Sequence, residues 1–81
     1  MANIYTTVDN AIARSQRVFY IVENGQRPGY YLFDIDDCED STCVMWTQDT
    51  NVCWGFCTKQ IARDFIEDCV QSYRILKVKQ K

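Results

Sequence analysis

The stretch TKQIARDFIEDCVQSYRILKVK, residues 58–79, decides most of the predicted fold, because it joins an amphipathic helix to a strand. Thr58 is a suitable N-cap, and residues 59–71 follow it without proline or glycine. The apolar residues of this helix recur at the i, i+3, i+4 spacing of one face: Ile61, Ala62, Phe65, Ile66, Cys69 and Val70. Residues 73–79 alternate in their second half, which is typical of a strand.

Three segments upstream of this helix have the composition of β-strands. Residues 17–23 and 30–35 are β-branched and aromatic, with the turn signals Asn24-Gly25 and Pro28-Gly29 between them. An acidic loop over 36–42 leads to a third predicted strand at 43–48, and a connection over 49–57 leads to the helix. Residues 7–16 have helical spacing with Thr6 or Thr7 as N-cap, which indicates a further short helix.

The predicted fold is α+β and forms a single domain over residues 1–81. An antiparallel β-sheet of about four strands carries one amphipathic helix on one face, in the order β-β-β-α-β after the short N-terminal helix. Both sheet faces are apolar: Phe19 and Ile21 alternate with Val18, Tyr20 and Val22, and Tyr31, Phe33 and Ile35 alternate with Tyr30 and Leu32. Either the N-terminal helix covers the second face, or an exposed aromatic patch there binds a partner or a second copy.

The composition indicates one folded domain and limits its chemistry. The 81 residues are 47% apolar and 25% charged, with one proline and three glycines, which excludes a disordered or collagenous chain. No apolar run is long enough to span a membrane, and the start MANIYTTVDN lacks the pattern of a secretory signal, so we expect a cytoplasmic protein. Histidine is absent, which removes the commonest general base and the commonest metal ligand.

Charge is unevenly distributed, although the formal net charge is only −2. Residues 34–68 hold nine acidic and two basic residues, a net charge of −7, whereas residues 69–81 carry +4. Such an acidic block repels phosphate backbones, so we expect no direct binding to nucleic acid. A basic protein partner would be attracted to the block and would associate faster. The alternative is that the acidic turns only keep a small domain soluble.

The five cysteines are an odd number and leave three interpretations open. They are buried reduced thiols, a disulfide between Cys38 and Cys43, or a zinc site formed by Cys38, Cys43, Cys53 and Cys57. Buried thiols are favoured, because neither cysteine pair has the C-x2-C spacing of a zinc knuckle. Cys69 is expected to pack inward from the helix. We therefore predict no metal site and no cofactor.

The acidic string DIDDCEDSTCVM, residues 34–45, does not match a calcium-binding loop. Counted from Asp34, the residues Cys38, Glu39 and Met45 occupy positions at which that loop requires an oxygen ligand, glycine and glutamate. The sequence also lacks a phosphate-binding loop, a dinucleotide-binding glycine pattern and a G-x-S-x-G motif. We therefore predict that the protein has no catalytic residues and is not an enzyme.

A set of residues within 17–79 resembles a pattern of small phage-encoded proteins. In that pattern a strand ends in Trp-Thr-x-Asp, a helix opens with Thr-Lys and carries Ala-x-x-Phe-Ile, and a Val-x-Lys-Val strand closes the domain. The matching residues are Trp46, Thr47, Asp49, Phe56, Thr58, Lys59, Ala62, Phe65, Ile66, Ile75 and Val78. The resemblance implies a β-β-β-α-β fold and a viral or mobile-element origin. Proteins of this kind are often inhibitors of host defence, such as anti-CRISPR proteins.

We accordingly expect a non-enzymatic inhibitor that binds a host protein or ribonucleoprotein defence complex in the host cytoplasm, without contacting nucleic acid or a membrane. Its carboxylates would occupy Lys or Arg sites that normally hold phosphate, and Trp46 or Trp54 would anchor the contact. The expected partner-binding residues are Asp34, Asp36, Asp37, Glu39, Asp40, Trp46, Asp49 and Trp54. The alternatives are a homodimeric structural or assembly protein that pairs through the open sheet face, and a small cysteine-ligated zinc module.

Overall fold

A computed structural model describes residues 7–37 and 42–80 of the chain. The elements in chain order are α1 (Thr7–Arg14), β1 (Val18–Asn24), β2 (Tyr31–Asp37), β3 (Thr42–Thr47), α2 (Lys59–Ile66) and β4 (Tyr73–Lys79). The strands form one antiparallel sheet in the order β3-β2-β1-β4. The predicted α+β class and the order β-β-β-α-β are confirmed, with α1 preceding them.

Helix α2 begins where the sequence predicts but is shorter. The Thr58 hydroxyl accepts a hydrogen bond from the Ile61 amide at 3.1 Å, as an N-cap does. At the other end, the Ile66 carbonyl accepts hydrogen bonds from the amides of both Cys69 and Val70. These bonds close a turn that directs the chain into β4, so Cys69 lies partly buried in the turn and not in the predicted helix.

Each helix packs on its own face of the sheet, and we name the faces after the helices. The buried residues of the α2 face are Val22, Leu32, Phe56, Ala62 and Ile66. The buried residues of the α1 face are Ala13, Phe19, Ile21 and Cys53. Both helices pack on β1, and α2 also packs on β4. The N-terminal helix therefore covers the second face where it crosses β1.

A β-bulge in β2 changes which residues share a face. The pairing register shifts between Leu32 and Asp34, which leaves Phe33 without a register partner in β3. Leu32 and Ile35 consequently both pack against the core of the α2 face. Simple alternation predicts Ile35 on the same face as Tyr31 and Phe33. That prediction is wrong, because one extra residue in a strand reverses the faces of all the residues beyond it.

The predicted acidic loop over 36–42 is shorter than expected. Asp36 pairs with Cys43 and Asp37 with Thr42, so β2 and β3 extend into the predicted loop from both sides. Ladder hydrogen bonds join backbone groups, so acidic side chains do not prevent them from forming. Residues 38–41 lie outside the described part of the chain.

The two central strands diverge, and residues 54–56 fill the gap between them. Strands β1 and β2 pair at a single register position near the start of β2. Beyond it, the Trp54 amide donates to the Leu32 carbonyl at 2.8 Å. Phe56 and Tyr20 exchange two backbone hydrogen bonds, each of 2.8 Å. We call residues 54–56 the wedge, because they bond to both central strands at the point where these separate.

Ile66→Ala is expected to lower the free energy of unfolding by about 2–5 kcal/mol, because the Ile66 side chain is fully buried. Ile61→Ala on the same helix is the matched control. Its side chain is 39% exposed, so the expected loss is below about 1 kcal/mol. Urea unfolding followed by far-UV circular dichroism measures both values. Similar losses in the two variants would contradict the assignment of the buried face.

Candidate partner-binding site

The end of the β2–β3 hairpin extends beyond the part of the sheet that the helices cover. We call residues 33–37 and 42–45 the ribbon; residues 34–37 pair with residues 42–45, and Phe33 is the bulged residue beside them. The helices make their main contacts with β1 and β4. Among the described strands, β2 and β3 are therefore those on which the helices pack least.

Three of the predicted partner-binding residues lie on the ribbon: Asp34, Asp36 and Asp37. The Asp34 carboxylate is partly buried and accepts a hydrogen bond from the Ile35 amide at 2.8 Å. The other two occupy the last positions of β2. Glu39 and Asp40 follow in the sequence and lie outside the described residues. The predicted acidic site is thus built in part on a strand, which fixes its backbone spacing.

Exposed apolar side chains accompany these acidic residues. Phe33 is 43% exposed at the bulge, and Met45 is 39% exposed on β3. Met45 is the register partner of Asp34, and both lie on the face opposite α2. In contrast, Ile35 and Val44 are partly buried against the core of the α2 face. The ribbon therefore has one apolar face that continues the core and one face that combines a carboxylate with an exposed methionine.

Trp46 lines an open groove of about 320 Å³ on the α2 face. Val44 and Trp46 of β3 form one side, and the turn after α2, residues 69–72, forms the other. The polar side chains of Asn24 and Gln26 also line it. An apolar group entering this groove from solvent would contact the partly buried Trp46 ring.

The two remaining predicted site residues, Asp49 and Trp54, take part in local contacts of the connection between β3 and α2. The Asp49 carboxylate accepts a hydrogen bond from the Asn51 amide at 2.9 Å, and its carbonyl accepts one from the Cys53 amide at 3.2 Å. The Trp54 ring packs on Phe65 with the centroids 5.6 Å apart. Asp49 is exposed, whereas Trp54 is partly buried and belongs to the wedge. These contacts shape the scaffold beside the ribbon.

Arg14 holds the connection in place, and sequence reasoning missed it. Its guanidinium donates to the Thr50 carbonyl at 2.7 Å and to the Cys53 carbonyl at 2.5 and 3.1 Å. It also lies 5.1 Å above the centre of the Phe19 ring. An arginine in the last turn of a short helix is also favoured by the helix dipole, so its position in the sequence did not indicate this tertiary role.

Gly55 occupies a crowded position at the centre of the wedge. Its amide donates to the Asn10 side-chain oxygen at 2.6 Å. A Cβ at this position would lie 3.0 Å from Phe19 Cδ2 and 3.1 Å from Arg14 Cγ. A larger residue would therefore displace the side chains of Phe19 and Arg14 from their present positions. Helix α1 thus fixes the wedge, and the wedge fixes the separation of β1 and β2.

The three cysteines whose side chains are described are partly or fully buried: Cys53, Cys57 and Cys69. Burial raises the pKa of the Cys53 thiol above its usual 9.0, although the Arg14 guanidinium, 3.4 Å from the sulfur, opposes the shift. Within residues 7–37 and 42–80, no three potential ligands gather into a metal site. The zinc and disulfide alternatives require Cys38 and the Cys43 side chain, which lie outside this description.

No helix in the described part of the chain is long and apolar enough to cross a membrane. Comparisons with protein-family models, with curated proteins and with solved structures find no match for this chain. The resemblance to small phage-encoded proteins therefore stays a prediction, and the function is inferred from the ribbon and the groove beside it.

Arg14→Lys is expected to lower the free energy of unfolding by about 1–3 kcal/mol, because lysine does not reproduce the forked contacts with both carbonyls. Arg17→Lys is the control, since the Arg17 side chain is exposed and the substitution keeps the charge. Urea unfolding of the two variants measures the difference. Equal stability of the two variants would show that Arg14 does not hold the connection.

The raised pKa of Cys53 predicts a loss of stability at alkaline pH. The unfolded thiol deprotonates near its usual pKa of 9.0 while the folded thiol keeps its proton, so the folded state binds more protons and stability falls as pH rises past that value. The stability advantage of the wild type over Cys53→Ala should therefore shrink between about pH 8 and pH 10. Urea unfolding under reducing conditions at several pH values measures it. A constant difference would exclude this titration.

Proposed function

We propose that this protein is a non-enzymatic inhibitor, like the anti-CRISPR proteins of phages and mobile elements, and that it binds a host defence protein through the ribbon. The acidic residues of the ribbon take Lys and Arg sites on the partner that otherwise hold phosphate. The mechanism is occlusion of a nucleic-acid site and includes no chemical step.

The observation that carries this proposal is the position of Asp34, Asp36 and Asp37 on a hairpin end that the helices leave uncovered. Hydrogen bonds between a carboxylate and a guanidinium or ammonium are about twice as strong as neutral ones. Like charges on neighbouring positions of one strand also repel each other. A cationic partner surface removes that repulsion as it binds, so the free energy of association gains from both effects.

The residue spacing of the strand supports mimicry of a phosphate backbone. Successive residues of a strand point to opposite faces at a rise of about 3.3 Å, so Asp34 and Asp36 share one face of β2 about 6.6 Å apart, whereas Asp37 belongs to the other face. A DNA strand carries one charge per about 3.4 Å of its axis, so this distance is about two phosphate spacings. A basic groove that binds nucleic acid would therefore meet Asp34 and Asp36 at positions two phosphates apart.

The apolar neighbours of the acidic residues supply contact area. Phe33 and Met45 are exposed on the ribbon, and apolar side chains of this kind bury well at the centre of a protein interface. Their burial excludes water from the adjacent charge pairs, which strengthens the electrostatic attraction. The ribbon thus offers both the charge that selects a basic partner and the apolar surface that retains it.

Neutralising the ribbon should weaken binding to the partner. The variant Asp34→Asn, Asp36→Asn, Asp37→Asn removes three charges while it keeps the side-chain size, and the expected loss of affinity is about tenfold or more. The measurement is capture of host proteins from nuclease-treated bacterial lysate on the immobilised protein, quantified by mass spectrometry. The captured protein is then purified, and its nucleic-acid binding is titrated with the wild-type inhibitor at several salt concentrations.

The matched control removes three exposed carboxylates from α2 and the turn that follows it, through Asp64→Asn, Glu67→Gln and Asp68→Asn. The control variant and the ribbon variant each lose three negative charges. A difference between them therefore reports where the charges lie and not how many there are. Wild type and control should both bind the partner and displace its nucleic acid. Their affinity for the partner should fall as the salt concentration rises, whereas the affinity of the ribbon variant should depend less on salt. Equal capture by all three proteins, or simultaneous binding of inhibitor and nucleic acid, would reject occlusion by the ribbon.

A further inference from the structure

The two edge strands of the sheet differ in a way that the function of the ribbon does not explain. Strand β4 carries Arg74, Lys77 and Lys79 among its seven residues. Charged residues, lysine above all, are a common means by which proteins prevent another strand from pairing with an exposed edge. Strand β3, with the sequence TCVMWT, has neither a charge nor a proline. Within the described chain, β3 is therefore the edge that lacks this protection.

The side chains of β3 offer a different surface on each face of the sheet. Val44 and Trp46 face the α2 side and line the groove beside the turn at residues 69–72. Met45 lies on the opposite side next to Asp34. Successive residues of an added strand point to alternate faces of the sheet. One set would therefore lie beside Val44 and Trp46, and the other would lie beside Met45, from which long side chains extend toward Asp34.

We propose that the outer edge of β3 binds an extended segment of the partner as a fifth strand, in which basic and apolar residues alternate. Its apolar side chains lie on the α2 side, against Val44 and Trp46. Its basic side chains lie on the other side, toward Asp34. Backbone hydrogen bonds to β3 supply the affinity, and the alternating pattern supplies the specificity. This proposal rests on the proposed function and names the kind of segment that the ribbon recognises.

Charge selects this occupant over a second copy of the chain. Each copy brings the same acidic β2, so pairing of two β3 edges places two negatively charged strands about 14 Å apart, and they repel each other at low ionic strength. A basic segment at the same edge lies two strand spacings from β2, about 10 Å, and is attracted to it. The proposed segment alternates lysine with an apolar residue, whereas residues 42–47 of β3 are uncharged. The β3 strand of a second copy therefore does not have the proposed pattern.

The test uses a defined probe, the acetylated and amidated peptide KVKVKVKV, and two N-methylated forms. One form carries the methyl groups on all lysine amides and the other on all valine amides. In a strand the amides of alternate residues point to opposite edges, so each form blocks one edge of the peptide at constant charge. Binding to wild type and to the triple variant Asp34→Asn, Asp36→Asn, Asp37→Asn is titrated by NMR at low salt, with hydrogen exchange of the β3 and β4 amides.

The expected result is that one N-methylated form binds at least tenfold more weakly than the parent peptide, while the other binds like the parent. Backbone amides of β3 should gain protection from exchange, whereas those of β4 should not. Equal binding of all three peptides to wild type, or protection of β4 instead, would overturn strand addition. Sedimentation of the protein alone gives a further check, because a dimer that protects β3 would assign the edge to a second copy and overturn the proposal.

The triple variant separates this inference from the proposed function. One outcome is that the triple variant binds the parent peptide more weakly than wild type does, while wild type binds all three peptides equally. That outcome supports charge recognition by the ribbon and rejects strand addition. If the triple variant binds the parent peptide as tightly as wild type does, recognition of a basic partner by the acidic residues fails, whatever N-methylation does. Both effects together are the result that supports the two proposals.

Discussion

Two sets of backbone hydrogen bonds, from Trp54 to Leu32 and between Phe56 and Tyr20, replace bonds that β1 and β2 would otherwise exchange. A buried backbone group without a partner costs free energy, so strands cannot separate within a sheet unless another segment satisfies them. The wedge does this for one residue of each strand. It turns a continuous four-stranded sheet into two antiparallel strand pairs, β1–β4 and β2–β3, that share one register position, and the ribbon is the free end of the β2–β3 pair.

The charged residues and the helices are also distributed unequally between the two strand pairs. The pair β1 and β4 carries both helices and the basic side chains of the closing strand. The pair β2 and β3 carries Asp34, Asp36 and Asp37. Strands β2 and β4 lie two strand spacings apart, about 10 Å, with β1 between them, and the Debye length at physiological ionic strength is about 8 Å. Screening therefore weakens the attraction between the basic residues of β4 and the acidic residues of β2, and the small net charge understates the field at the ribbon.

The parts of the fold that sequence reasoning predicted are those that local signals determine. The Thr58 cap and the apolar spacing of α2 depend on residues within one or two turns, and both are found in the structure. The bulge at Phe33 and the wedge depend on contacts between segments far apart in the chain. No spacing rule indicates where a strand takes up an extra residue, so the faces beyond the bulge were assigned incorrectly. Helix α2 ends at Ile66, before the predicted end at residue 71, because the hydrogen bonds of the following turn direct the chain toward β4.

The candidate site could also be predicted only as far as local sequence signals determine it. Composition located the acidic block, and the structure places its first three members on a strand, where their spacing is fixed by the backbone. Composition did not indicate which acidic residues act together, and Asp49 illustrates this, since its carboxylate caps the turn at Asn51. Arg14 is a stronger case, because its role depends on two carbonyls that lie 36 and 39 residues away in the sequence. A charged residue whose contacts are all distant cannot be distinguished by pattern from one that is solvated. The ribbon can therefore be proposed as a binding surface only once the wedge and the residues that hold it are known.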